Sequence, residues 1–156
     1  MKEIFFGLLV LFCFGSSVVL AESFRTATLE DQWGEKQILD DRDNWFILAA
    51  DKTRGEWVKE SLLELQLVDL EKHKLVYVTD VSAIPSFMLR FVGLPILKKL
   101  PFKVLLDREG DVTETWPRKE AHVSIFLSQK GEIKESHFFA DKAAVQAFLQ
   151  GLIAAR

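Results

Sequence analysis

Cysteine is nearly missing from this chain: one in 156 residues. That one, Cys13, lies in an apolar amino-terminal stretch. The rest of the chain therefore has no disulfide, no thiol nucleophile and no thiolate metal ligand. Histidine is almost as scarce. His73, His122 and His137 fall on different expected elements at spacings that match no zinc pattern, so no metal site is expected. No basic run occurs, and the formal net charge is −3. That argues against nucleic acid as a partner, because neutralising phosphates takes clustered cations. No Gly-rich phosphate loop follows a strand, and no cofactor is expected. Ser82, His122 and Asp80 make a triad only on paper, since nothing resembles a nucleophile elbow. Repeats, low-complexity segments and a second domain are absent.

What is present begins with a targeting pattern. Lys2 supplies a positive start, residues 4–14 an apolar core, and Val19-Leu20-Ala21 a small-residue cleavage site before Glu22. The expectation is a signal peptide over 1–21 and one domain over 22–156, periplasmic or secreted. Periplasm follows only if the source has two membranes. The apolar run is shorter than the roughly 20 residues a spanning helix needs, and an uncleaved anchor is the alternative. Phe12 before Cys13 is not the small residue lipid attachment prefers. Four tryptophans, Trp33, Trp45, Trp57 and Trp116, suit a packed core rather than disorder.

The chain then reads in order. Residues 24–30 read as a loose lead-in. Residues 31–39 read as a short hairpin turning at Gly34, with Ile38 and Leu39 inside. Residues 45–50 are apolar on both faces, as a central parallel strand requires. A helix is expected to start at Thr53, because Thr53-x-x-Glu56 matches a capping box. Trp57, Val58, Ser61, Leu62 and Leu65 fall on its inner face. Residues 75–79 form the next strand, parallel to the first. Residues 84–100 are apolar on every side, and Gly93 and Pro95 should bend or break them. A third strand at 102–106, an acidic-glycine turn and a short helix at 111–116 follow. Residues 122–127 and 132–139 form a hairpin about Lys130-Gly131. Asp141 caps a last helix whose inner face is Val145, Phe148, Leu149 and Ile153.

Three stretches carry a resemblance: "DQWGEKQIL", "PFKVLLDREGDVTETW" and "HVSIFLSQKGEI". In that order the chain resembles the thioredoxin-like family, its peroxiredoxin-like and TlpA-like exported branch. The resemblance implies an α/β fold, a three-layer sandwich with a mixed central sheet and helices on both faces. It also shows two departures. Thr53 and Glu56 stand roughly where the family's redox cysteines would, so thiol–disulfide and peroxidase activities are excluded for the mature chain. His122 stands where the family has a cis-proline, and a trans bond is expected at Ala121–His122 because a non-proline cis bond costs about 2.5–4 kcal/mol. The pattern also resembles small exported proteins that carry a flavin-dehydrogenase name, for which the chain shows no phosphate loop.

Two surfaces are candidates for function. The carboxyl ends of the parallel strands collect Asp51, Thr53, Arg54, Asp80, Ser82 and His122, which suit a small anion at a helix start or acid–base chemistry. The same residues also serve as caps and solvated strand ends. The second candidate lies in residues 84–100, with Phe87, Phe91, Leu94 and Ile96 facing outward. One helix buries only one stripe against a sheet. That face would meet an unknown protein partner in the cell envelope or a membrane surface; packing as core is the other reading. The expected function is non-catalytic partner binding, with a non-thiol ligand site or enzyme at the first pole as the alternative.

Overall fold

The computed structural model describes residues 24–155. The expected signal peptide, Cys13 included, lies outside the described residues. Seven strands form one mixed sheet: β1 (Ala27–Asp31), β2 (Lys36–Leu39), β3 (Asn44–Ala49), β4 (Leu75–Asp80), β5 (Leu105–Asp107), β6 (Val123–Gln129) and β7 (Glu132–Phe139). Their spatial order is β2-β1-β5-β4-β3-β6-β7. β3 is the centre, and every residue from Trp45 to Ala49 is buried. It pairs in parallel with β4 and antiparallel with β6. Continuous apolar character along β3 follows from burial on both faces.

The helices are α1 (Lys52–Glu64), α2 (Ser86–Met88), α3 (Leu94–Leu97) and α4 (Lys142–Ala154). The chain steps from β3 to β4 to β5 in one direction across the sheet. Right-handed crossovers therefore put both connecting helical segments on the same face. Val58 and Leu62 of α1, Leu89, and Val145 and Leu149 of α4 join one buried cluster with Ile47, Tyr77 and Ile125. The opposite cluster contains Phe46, Leu48, Val78 and Phe126 and draws no residue from these helices, so among the described residues they pack on one face of the mixed sheet, where helices on both were expected. It is roofed by Phe24 from the lead-in and by Trp116. Their rings lie 4.6 and 5.4 Å from that of Phe46, and Trp116 also meets Phe126 edge-on at 5.3 Å.

Residues 111–116 are a series of turns rather than the short helix expected. The reason is local. The buried Asp107 carboxylate accepts from the Gly110 amide at 2.9 Å and from the Thr113 amide and hydroxyl, both at 2.8 Å. A side chain that takes these amides offers the backbone an alternative to a helix. The lead-in is not loose either. Ala27–Asp31 is a strand paired with β2 on one side and β5 on the other. Ile38 is 64% exposed while Leu39 is buried, since neighbours along a strand point to opposite faces.

Residues 86–97 run as one continuous helical segment where a bend or break was expected. A π turn, Leu89–Gly93, joins α2 to α3, and the Leu94 amide donates to the Leu89 carbonyl five residues back. Pro95 has no amide to offer the carbonyl four residues before it, so the wider turn absorbs the defect. The β6–β7 turn at Lys130 and Gly131 has positive φ at both residues, as expected of a tight hairpin. Asp141 caps α4 through the Ala144 amide at 2.8 Å.

Candidate functional site

The turn from β3 into α1 is capped by Asp51, not by Thr53. Asp51 is extended, and its carboxylate accepts from the Arg54 amide at 3.0 Å. Thr53 is already inside the first turn and exposed. Glu56 pairs with Lys59 instead of reaching back. An aspartate at the last extended position is the stronger cap, so the capping-box match at Thr53 is coincidental.

Arg54 is the organising side chain of this pole. One terminal nitrogen lies 3.4 Å from Asp51. The other donates to the Ala121 carbonyl at 2.8 Å. The guanidinium carbon stands 4.9 Å from the centre of the Trp57 ring. Arg54 thereby ties the start of α1 to the loop before β6. Its Nε is buried without a hydrogen-bond partner among the described residues. Ala121 has φ +59° and no peptide among the described residues is cis. The Ala121–His122 bond is trans, as expected. His122 is half-buried, and its Nδ1 sits 2.7 Å from the Glu120 carbonyl.

Asp80 and Ser82 form a separate cluster. The Asp80 carboxylate accepts from the Ser82 amide at 3.0 Å and hydroxyl at 2.6 Å, and Arg118 stands 3.3 Å away. Burial pushes the Asp80 carboxyl up. The Ser82 hydrogen bonds and the Arg118 guanidinium outweigh this and hold it below the ordinary aspartate value. Arg118 also donates to the Thr113 carbonyl and hydroxyl at 2.8 Å, which links Asp80 to the Asp107 turn. Gly110 sits against this cluster with φ +78°, and a Cβ there would come within 2.8 Å of the Ser82 hydroxyl. No hydrogen bond or ion pair among the described residues joins Asp80 or Ser82 to Asp51, Thr53, Arg54 or His122. Of the six predicted residues, Asp51 with Arg54 and Asp80 with Ser82 form two separate bonded pairs, and Thr53 and His122 join neither. Asp107, Thr113 and Arg118 were missed. The spacing Asp107-x-x-Gly110-x-x-Thr113 carried a signal for the first two; Arg118 had none.

The second surface is the outer side of the 86–97 segment. Leu89 is buried, and Leu94, Leu97 and Leu100 pack against the helix-side core. Leu94 therefore faces inward, contrary to expectation. Phe87 and Phe91 are 63% and 72% exposed, and Ile84, Met88, Val92 and Ile96 between 42% and 49%. Phe87, Met88, Phe91, Val92 and Ile96 recur at helical spacing, opposite the buried stripe, and Ile84 stands just before them. Gly93 lets the inner stripe close up: a Cβ there would meet Leu89 at 3.1 Å.

No family model matches the chain, and no curated protein does. Solved structures do match. The peroxidoxin BcpB from Mycobacterium tuberculosis is 14% identical with a TM-score of 0.55, over 87% of this chain and 97% of its own. StoA from Bacillus subtilis is 17% identical with a TM-score of 0.53, over 82% and 98%. The exposed lipoprotein thioredoxin from Streptococcus pneumoniae is 18% identical with a TM-score of 0.52, over 83% and 99%. The fold is thioredoxin-like.

This thioredoxin-like domain holds no cysteine, and a chain with one cysteine cannot close a disulfide within itself. The helix start that resembles the redox position carries an aspartate–arginine pair instead. Among the described residues no three metal-ligating side chains converge, and no helix is long and apolar enough to cross a membrane.

Proposed function

We propose that this thioredoxin-like protein is exported and works by binding rather than by catalysis, with the outer side of residues 84–97 as its working surface. One observation carries the reading. Five large apolar side chains of one helical segment, and Ile84 just before it, are exposed while the same segment's inner stripe completes the core. A patch of that size on a small domain marks an interaction site. The polar pole supports the reading by contrast, since Asp51, Arg54, Asp80 and Ser82 bond to their own neighbours. Export is supported by the amino-terminal pattern and by the likeness to an exposed lipoprotein thioredoxin.

The test is fractionation of cells of the source organism carrying the wild-type chain or Phe91→Asp. Wild type is expected with envelope membranes or in a large complex. Phe91→Asp is expected as a free monomer with an unchanged melting temperature. Identical distribution of the two proteins would overturn the reading.

A further inference from the structure

The exposed apolar face lies in a stretch of one charge sign. From Val81 through Leu106 the sequence has no aspartate or glutamate, yet it has Arg90, Lys98, Lys99 and Lys103. The chain as a whole is net −3, so this is a local inversion. Lys103 is paired with Glu71 at 3.3 Å. Arg90, Lys98 and Lys99 have no carboxylate partner among the described residues; Arg90 lies 5.6 Å from the centre of the Phe91 ring. Cationic heads thus flank the apolar side chains.

The exposure of the face narrows the partner further. Phe87 and Phe91 are its most exposed residues. Neither the cavity between Trp33, Val68 and Phe102 nor the one between Trp116, Arg118 and Phe138 is lined by any residue of 84–100. Taking about 200 Å² for a fully exposed large side chain, the six residues present on the order of 600 Å² of apolar surface. Beneath the face the π turn keeps the Leu94 amide bonded to the Leu89 carbonyl. A soft acyl boundary accepts protruding side chains without a matching cleft, and anionic headgroups match the cations.

We propose that the outer side of residues 84–97 is an in-plane membrane contact for anionic phospholipid. Phe87, Met88, Phe91 and Ile96 enter the boundary between headgroups and acyl chains, and Arg90, Lys98 and Lys99 face the lipid phosphates. This rests on the reading that the face is the working surface, and it names what the face meets.

The test is flotation of the chain from Glu22 onward with lipid vesicles. Residues 24–155 close both cores themselves, and cooperative thermal unfolding of each variant checks the fold. Vesicles of mixed phosphatidylglycerol and phosphatidylcholine are compared with phosphatidylcholine alone. The protein is expected to float with the anionic vesicles only. Phe91→Ser should weaken binding roughly tenfold. Lys98→Gln with Lys99→Gln should weaken it roughly 30-fold at low salt. No flotation, equal flotation with both vesicles, or unchanged binding in the Phe91 variant would each overturn the inference. If vesicles fail while envelope association still depends on Phe91, the face binds a protein: the lipid inference falls and the binding reading stands. If both fail, both fall.

Discussion

Trp116 offers the sharpest test of how the second face of the sheet is closed. Among the described residues no helix roofs that face; Trp116 is buried there, 5% exposed, against Phe24, Phe46 and Phe126 with ring centres 5.3–5.5 Å apart. Trp116→Ala leaves a void that the strands beneath cannot fill, because β3 and β6 are held by the central ladder. Large aromatic-to-alanine changes in such a setting cost about 3–5 kcal/mol. For a domain of this size that lowers the melting temperature by roughly 15 °C. Trp116→Phe keeps a ring in place and should cost about 1–2 kcal/mol. Urea unfolding followed by far-ultraviolet circular dichroism measures both, with an unchanged dependence on denaturant showing that the unfolding reaction is the same. A loss below about 1 kcal/mol for Trp116→Ala would refute the aromatic roof.

Further outcomes follow from the same contacts. Asp107→Ala removes three hydrogen bonds from a buried turn and should cost about 3 kcal/mol in urea unfolding; Thr113→Val should cost less, because it removes the hydroxyl's bonds to Asp107 and Arg118 but leaves both amide bonds to Asp107. Arg54→Ala breaks the tie between α1 and the Ala121 carbonyl and uncovers Trp57, for a loss of about 1–2 kcal/mol. Asp80 gives a pH dependence. Its carboxyl is held below 3.8 in the folded protein, so its contribution is present above that value and is lost as pH falls through the folded pKa. Wild type should therefore lose more stability than Asp80→Asn between pH 5 and pH 2, as denaturant titrations at each pH would show. Phe91→Asp should unfold within about 0.5 kcal/mol of wild type, because the side chain it replaces stands in water.

The elements that the sequence made legible are those specified by short-range chemistry. Residues 45–50 had to be a central strand, because nothing polar interrupts them. The Lys130-Gly131 turn and the Asp141 cap are written in two or three letters each. β1 was missed because Thr28 and Glu30 alternate with only one strong apolar residue, and its partners β2 and β5 lie later in the chain. The cap of α1 was misplaced because Asp51 and Thr53 both offer cap chemistry two residues apart. The polar pole was legible as a list of residues but not as a bonding pattern. Asp80 meets Arg118 across 38 positions, and Arg54 meets Ala121 across 67; no local spacing signals either pair. On the 84–100 stretch, the excess of apolar residues over one helical stripe was visible. Which of them turned inward, Leu94 among them, depended on where the π turn placed the register.

The most direct test of the binding account is a photo-crosslinking residue placed at Phe91 and, separately, at Thr53, in the protein expressed in cells of its source. The account predicts a light-dependent adduct from position 91 and none from position 53. An adduct from position 53 with none from position 91 would contradict it and move the working surface to the pole at the start of α1.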